Sequence, residues 1–133
     1  MGVAVLDGRD LLFWGVTGFR ERDVRVILDL VKKRMQGLIQ IYQPGTVVVE
    51  RPSRKRLKAS LALEMIIGRI SAVAVASSLR FQLYDAQTIR EQICSSGRAT
   101  RREVVERIVA RYPHLARYKD PSSQWGKSYW LPM

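Results

Sequence analysis

Three consecutive valines, Val47 to Val49, stand between two long helical patterns and run into a carboxylate, Glu50. A continuous β-branched run bounded by turn signals reads as a strand buried on both faces, the setting of a central parallel strand. That segment turns the chain away from all-α designs and toward an α/β layered domain. The neighbouring segments agree. Gly2 to Leu6 and Leu11 to Thr17 read as two antiparallel strands around Asp7-Gly8, a tight-turn signal. Arg20 to Tyr42 predicts a long helix with Val24, Ile27, Leu28, Val31, Met35, Leu38, Ile39 and Tyr42 on one stripe. Lys32, Lys33 and Arg34 fall mostly outside that stripe, and Pro44-Gly45 ends the helix.

Ala59 to Ser78 predicts a second helix, apolar nearly all round, and so either mostly buried or packed against a second chain. Leu79 to Tyr84 predicts a strand, with Asp85 placed to cap a helix over Ala86 to Cys94. Thr100-Arg101-Arg102-Glu103 is a capping box that opens a helix through Tyr112, with Val104, Val105, Ile108 and Val109 inward. Pro113 stops it, and the tail from His114 has no clear period. The order β-β-α-β-α-β-α-α predicts an antiparallel hairpin followed by parallel pairing. The length of 133 residues suits a single domain over 1–133, with its core in 2–113 and a tail from 114.

Charge narrows the partners. The chain carries 23 Lys plus Arg against 12 Asp plus Glu, a net charge of +11, so polyanions are the natural match. DNA or RNA comes before a membrane surface, because the charge is spread over several segments rather than along one amphipathic helix. The single cysteine, Cys94, excludes an internal disulfide framework and a cysteine-based zinc cluster. With no apolar run long enough to span a bilayer and no leader-like start, the chain reads as a soluble, intracellular protein. No phosphate-binding glycine loop or dinucleotide fingerprint is present.

Glu50 is the most informative acid. The valines before it fix its backbone in a sheet, and open α/β sheets place sites at the carboxyl ends of strands. A rigidly held carboxylate suits Mg²⁺, which demands oxygen ligands in tight geometry. Arg51, Arg54, Lys55, Arg56 and Lys58 follow in a basic loop, which fits phosphodiester cleavage by bound metal. The same residues also read as a solvated strand-end glutamate beside a solvated loop. Arg98, Arg101, Arg102, Arg107 and Arg111 form a second basic cluster that begins at a turn and a helix N-terminus.

Gly2-Val3-Ala4-Val5, the hairpin, the long helix, Tyr42-Gln43-Pro44 and Val47-Val48-Val49-Glu50 together resemble the RuvC-type Holliday-junction resolvases. So do Asp85-Ala86-Gln87-Thr88-Ile89-Arg90 and, past a glycine turn, Ala99-Thr100-Arg101 with Val104 to Pro113. The resemblance implies a ribonuclease-H-like mixed sheet with helices on its faces. It further implies a cytoplasmic, nucleoid-associated homodimer that nicks four-way DNA junctions in recombination and repair, with Mg²⁺ or Mn²⁺ as cofactor. Glu50 matches the family's second acid, as catalytic residue and metal ligand. Arg90 and Arg101 match positions that face DNA, Arg101 where a lysine is usual. The family's first acid, on a strand before Gly2, and its last acids, on a helix after Met133, have no counterpart here. The first central strand and the last helix are thus expected to be missing. A non-catalytic nucleic-acid-binding protein on the same fold, and an assembly domain using the apolar helix with Trp125 and Trp130, are the rival readings.

Overall fold

The computed structural model describes residues 1–51 and 57–118, except the side chains of 57–60 and 118. Its contacts sort the chain into two compact units, one of residues 18–86 and one of residues 1–17 with the chain from Gln87 onward.

The first of these units begins with α1 (Val24–Tyr42). The helix starts four residues later than the apolar pattern suggests, because Asp23 is its N-cap: the carboxylate accepts from the Arg25 N–H at 2.9 Å. At the other end Gln43 takes a left-handed conformation (φ 47°) and its N–H closes on the Ile39 carbonyl at 2.8 Å, just before Pro44. Leu28, Val31, Met35 and Leu38 are buried, and α1 packs against α2 (Leu57–Ala76), whose Ile70, Val73 and Ala74 are buried in turn. Each such large aliphatic side chain contributes roughly 1.5–3 kcal/mol on burial. This helix pair is where the unit's buried side chains lie.

The expected boundaries of α2 shift. It opens at Leu57, inside the segment read as a basic loop, and ends at Ala76 rather than Ser78. It is also less buried than its composition suggests: Leu61, Leu63, Met65 and Val75 are 72%, 40%, 51% and 68% exposed. An apolar helix covered along one side only leaves the other side bare.

β3 (Thr46–Arg51) and β4 (Arg80–Asp85) pair in parallel, in the register Val47 to Phe81, Val49 to Leu83 and Glu50 to Tyr84. Parallel pairing was expected; burial of β3 on both faces was not found. Val47 and Val49 are half-buried and Val48 is 55% exposed. The reason is topological: among the described residues β3 has one hydrogen-bonded neighbour, and the ladders form two separate two-stranded sheets.

The second unit holds the other sheet, an antiparallel hairpin of β1 (Gly2–Asp7) and β2 (Asp10–Val16). Gly8 takes φ +58° in its turn, a conformation glycine enters without steric cost. A bulge falls between Val5 and Leu6. α3 (Ala86–Cys94) follows β4 directly, and α4 (Arg101–Arg111) opens on the expected capping box. The Glu103 N–H donates to Thr100 Oγ1 at 3.2 Å, and the Thr100 N–H donates to Glu103 Oε2 at 2.8 Å. Val105 is buried, and Val104, Ile108 and Val109 are half-buried. A 3-10 turn at Pro113–Tyr118, not expected from the sequence, sets the His114 ring 4.9 Å from Trp14 of β2.

Candidate functional site

Glu50 stands one residue from the carboxyl end of β3 and is exposed. Alternation places Thr46, Val48 and Glu50 on one face of the sheet, and the parallel register adds Arg80, Gln82 and Tyr84 to that face. Arg51 pairs with Asp85 one step further on, so both fall on the opposite face. The offset matters chemically. The two strand-end carboxylates, Glu50 and Asp85, lie on adjacent strands but on opposite sides of the sheet, so they do not converge on one ion. Among the described residues no group of three or more His, Cys, Asp or Glu side chains could hold a metal. Glu50 as described is therefore a single anchored carboxylate and does not by itself fit a Mg²⁺ or Mn²⁺ site, which wants several oxygen ligands. No hydrogen bond or ion pair engages its carboxylate among the described residues.

The expected basic residues divide between the two units. Arg51 is exposed at the end of β3. Arg54, Lys55 and Arg56 lie outside the described residues, and Lys58 sits in the first turn of α2. Arg90 is half-buried on α3; Arg98, Arg101 and Arg102 are exposed at the α3–α4 turn and the first turn of α4.

That turn is rigid for identifiable reasons. Ser96 Oγ accepts from the Arg98 N–H at 3.2 Å, and the Ala99 N–H donates to the Ser96 carbonyl at 3.3 Å. Ala99 is buried. Gly97 lies against α3: a Cβ there would meet Gln87 Cγ at 2.8 Å and Glu91 Oε1 at 2.9 Å, so a larger residue would require the Gln87 and Glu91 side chains to shift. Thr100 then caps α4. The result is a short, fixed ledge presenting three guanidinium groups. Arg102 also meets Glu106 at 3.4 Å, one turn along the helix, a surface pair that leaves its charge in solvent.

Tyr84 is the residue that sequence reading passed over. It is 40% exposed, sits opposite Glu50 in the ladder, and its hydroxyl donates to Gln82 Oε1 at 2.8 Å. The signal was the alternation Arg80, Gln82, Tyr84, which has meaning only once the register with β3 is known.

These features define a class. The chain has the ribonuclease-H-like fold of the RuvC resolvases: the structure of Thermus thermophilus RuvC superposes with a TM-score of 0.69, at 16% identity, over 82% of this chain and 70% of that one. T. thermophilus RuvC in complex with a Holliday junction substrate superposes equally, at 13% identity, over 82% of this chain and 69% of that one. In sequence the chain is similar to the crossover junction endodeoxyribonucleases RuvC of two Dehalococcoides mccartyi strains, BAV1 and 195. Each is 30% identical over 86 residues, or 61% of this chain. The chain spans about half the length of these curated relatives, 49% and 50%. No family model matches.

Proposed function

We propose that this chain is a RuvC-type crossover junction endodeoxyribonuclease that binds four-way DNA and acts in recombination and repair. The observation that carries the reading is Glu50, fixed by a β-branched strand at the carboxyl end of a parallel pair on this fold. The net charge of +11 and the Arg98–Arg102 ledge support a phosphate-dominated contact. In this reading residues 1–133 form one domain acting on nucleoid DNA in the cytoplasm. In this reading Arg51, Arg54, Lys55, Arg56 and Lys58 bind the DNA backbone, as do Arg90, Arg98, Arg101 and Arg102.

A homodimer belongs to the same proposal. Leu61, Met65, Gly68, Ala72 and Val75 recur at spacings of four and three, which places them on one line along α2, and all five are exposed. Gly68 has open space where a Cβ would stand, so another backbone could approach closely there. Two copies would match the two-fold symmetry of a junction. Among the described residues no helix is long and apolar enough to cross a membrane.

A second reading, a non-catalytic junction-binding protein on the same fold, is favoured by one observation: among the described residues Glu50 belongs to no group of three or more side chains that could hold a metal. One assay separates the two. A labelled four-way junction is incubated with the chain and with Glu50→Gln in Mg²⁺ or Mn²⁺. The nuclease reading expects nicking by the wild type, a loss of about a hundredfold or more in the variant, and binding within about twofold. A variant that nicks at the parental rate refutes the role of Glu50. Binding by both with nicking by neither establishes the second reading.

A further inference from the structure

We propose that the cleft between the α3–α4 turn and α4 is a nucleotide site, which takes a phosphate together with an amino-bearing base. The proposal goes beyond the nuclease reading and does not depend on Glu50. The cleft has a volume of about 690 Å³, inside the range of roughly 300–1,000 Å³ common to small-ligand sites. Ser96, Arg98 and Ala99 line it from the turn, and Glu103, Glu106 and Arg107 line it from α4. The three α4 positions, with Ala110, recur at spacings of three and four, so the helix presents them on one face.

The lining carries both signs of charge. The side chains of Arg98 and Arg107 are exposed and make no hydrogen bond or ion pair among the described residues, so their donors are available to an oxyanion. Ser96 Oγ accepts from the Arg98 N–H at 3.2 Å, which leaves its own proton to donate to the same oxyanion. The two carboxylates differ. Glu103 is tied into the capping box, with Oε2 2.8 Å from the Thr100 nitrogen. Glu106 meets Arg102 in a surface pair at 3.4 Å, a contact that a ligand donor can displace. Glu106 is thus the acceptor open to a ligand.

The mixture of charges selects the ligand. A bare inorganic anion satisfies the guanidinium groups but meets two carboxylates in the same lining. A nucleotide answers both signs. Its phosphate takes the donors of Arg98, Arg107 and Ser96, and an exocyclic amino group donates to Glu106, the pairing by which carboxylates read cytosine. Ala99, which is buried, and Ala110 give the flat ring a small apolar surface to lie against. A cleft of this size takes one nucleotide, either free in solution or unpaired within a branched DNA.

The test uses the full chain and a reporter already in place. Cys94 also lines the cleft, is half-buried and is the only cysteine, so its alkylation by iodoacetamide, read by intact mass, reports occupancy. Deoxycytidine monophosphate is expected to slow that reaction. Deoxyuridine monophosphate has a carbonyl in place of the amino group and should bind about tenfold more weakly. Arg107→Ala weakens the cytidine nucleotide about tenfold. Glu106→Gln, whose amide can donate to the uracil carbonyl, removes the preference for cytosine. A second arm replaces the mononucleotides with a four-way junction carrying an unpaired cytosine or uracil at the exchange point. Protection by the mononucleotide alone assigns a free nucleotide, protection by the cytosine junction assigns a nucleotide of the DNA, and either result keeps the site. Four results overturn it: no protection in either arm, equal protection by the cytidine and uridine nucleotides, protection by inorganic phosphate that matches the cytidine nucleotide, or a cytosine preference that survives Glu106→Gln. A junction that does not bind at all overturns the junction reading, and the mononucleotide arm then decides the cleft separately.

Discussion

Removing the three guanidinium groups of the α3–α4 ledge, as Arg98→Ala, Arg101→Ala and Arg102→Ala together, is expected to weaken junction binding about a hundredfold near 0.1 M salt. Each exposed arginine that neutralises a phosphate contributes on the order of 1 kcal/mol, and three such losses amount to two decades in the dissociation constant. The variant also releases fewer counterions on binding, so the slope of log affinity against log salt shrinks by about three. Folding should hardly change. All three side chains are exposed, and the Arg102–Glu106 pair is a surface ion pair, worth roughly 0.3–0.5 kcal/mol. Fluorescence anisotropy over a salt series measures both quantities. A loss below threefold with an unchanged slope would remove the ledge from the interface.

The largest effect on stability is expected at Val31. It is fully buried where α1 packs on α2, between the buried Leu28 and Met35 on the same stripe. Val31→Asp puts a carboxylate there with no partner, and the group must either stay charged in an apolar setting or take up a proton. Either course costs several kcal/mol, about 4 or more. A domain of this size has only about 5–15 kcal/mol in total, so most of the stability goes. Lys32→Asp is the matched control, one residue away on the exposed side of α1, and should move the stability by less than about 0.5 kcal/mol. Chemical denaturation of the two variants reads the contrast. Equal midpoints would mean that α1 is not packed by this stripe.

Local order was largely legible. The α1 stripe, the Thr100–Glu103 capping box and the Asp7-Gly8 hairpin each depend on residues within a few positions of one another, and each stands where the pattern places it. α1 opens at Val24 rather than Arg20 because Asp23 caps it, a local signal that the apolar period does not carry. What was not legible is long-range. Three valines in a row say that a strand is apolar, not how many neighbours it has; among the described residues β3 has one, and Val48 is 55% exposed. The composition of α2 says that it is hydrophobic, not which side is covered. The site follows the same division. Glu50 and its basic flank can be read directly, whereas the separation of Glu50 from Asp85 and the pairing with Tyr84 are set by a one-residue offset in a register between distant segments.

The most direct measurement is sedimentation of the purified chain with a labelled four-way junction, challenged by a roughly tenfold excess of linear duplex of the same sequence at near-physiological salt. A surface shaped for branched DNA keeps the label in a complex carrying two chains per junction. Release of the label in proportion to the competitor would show a basic protein that binds any nucleic acid alike, and would contradict the assignment to crossover junctions.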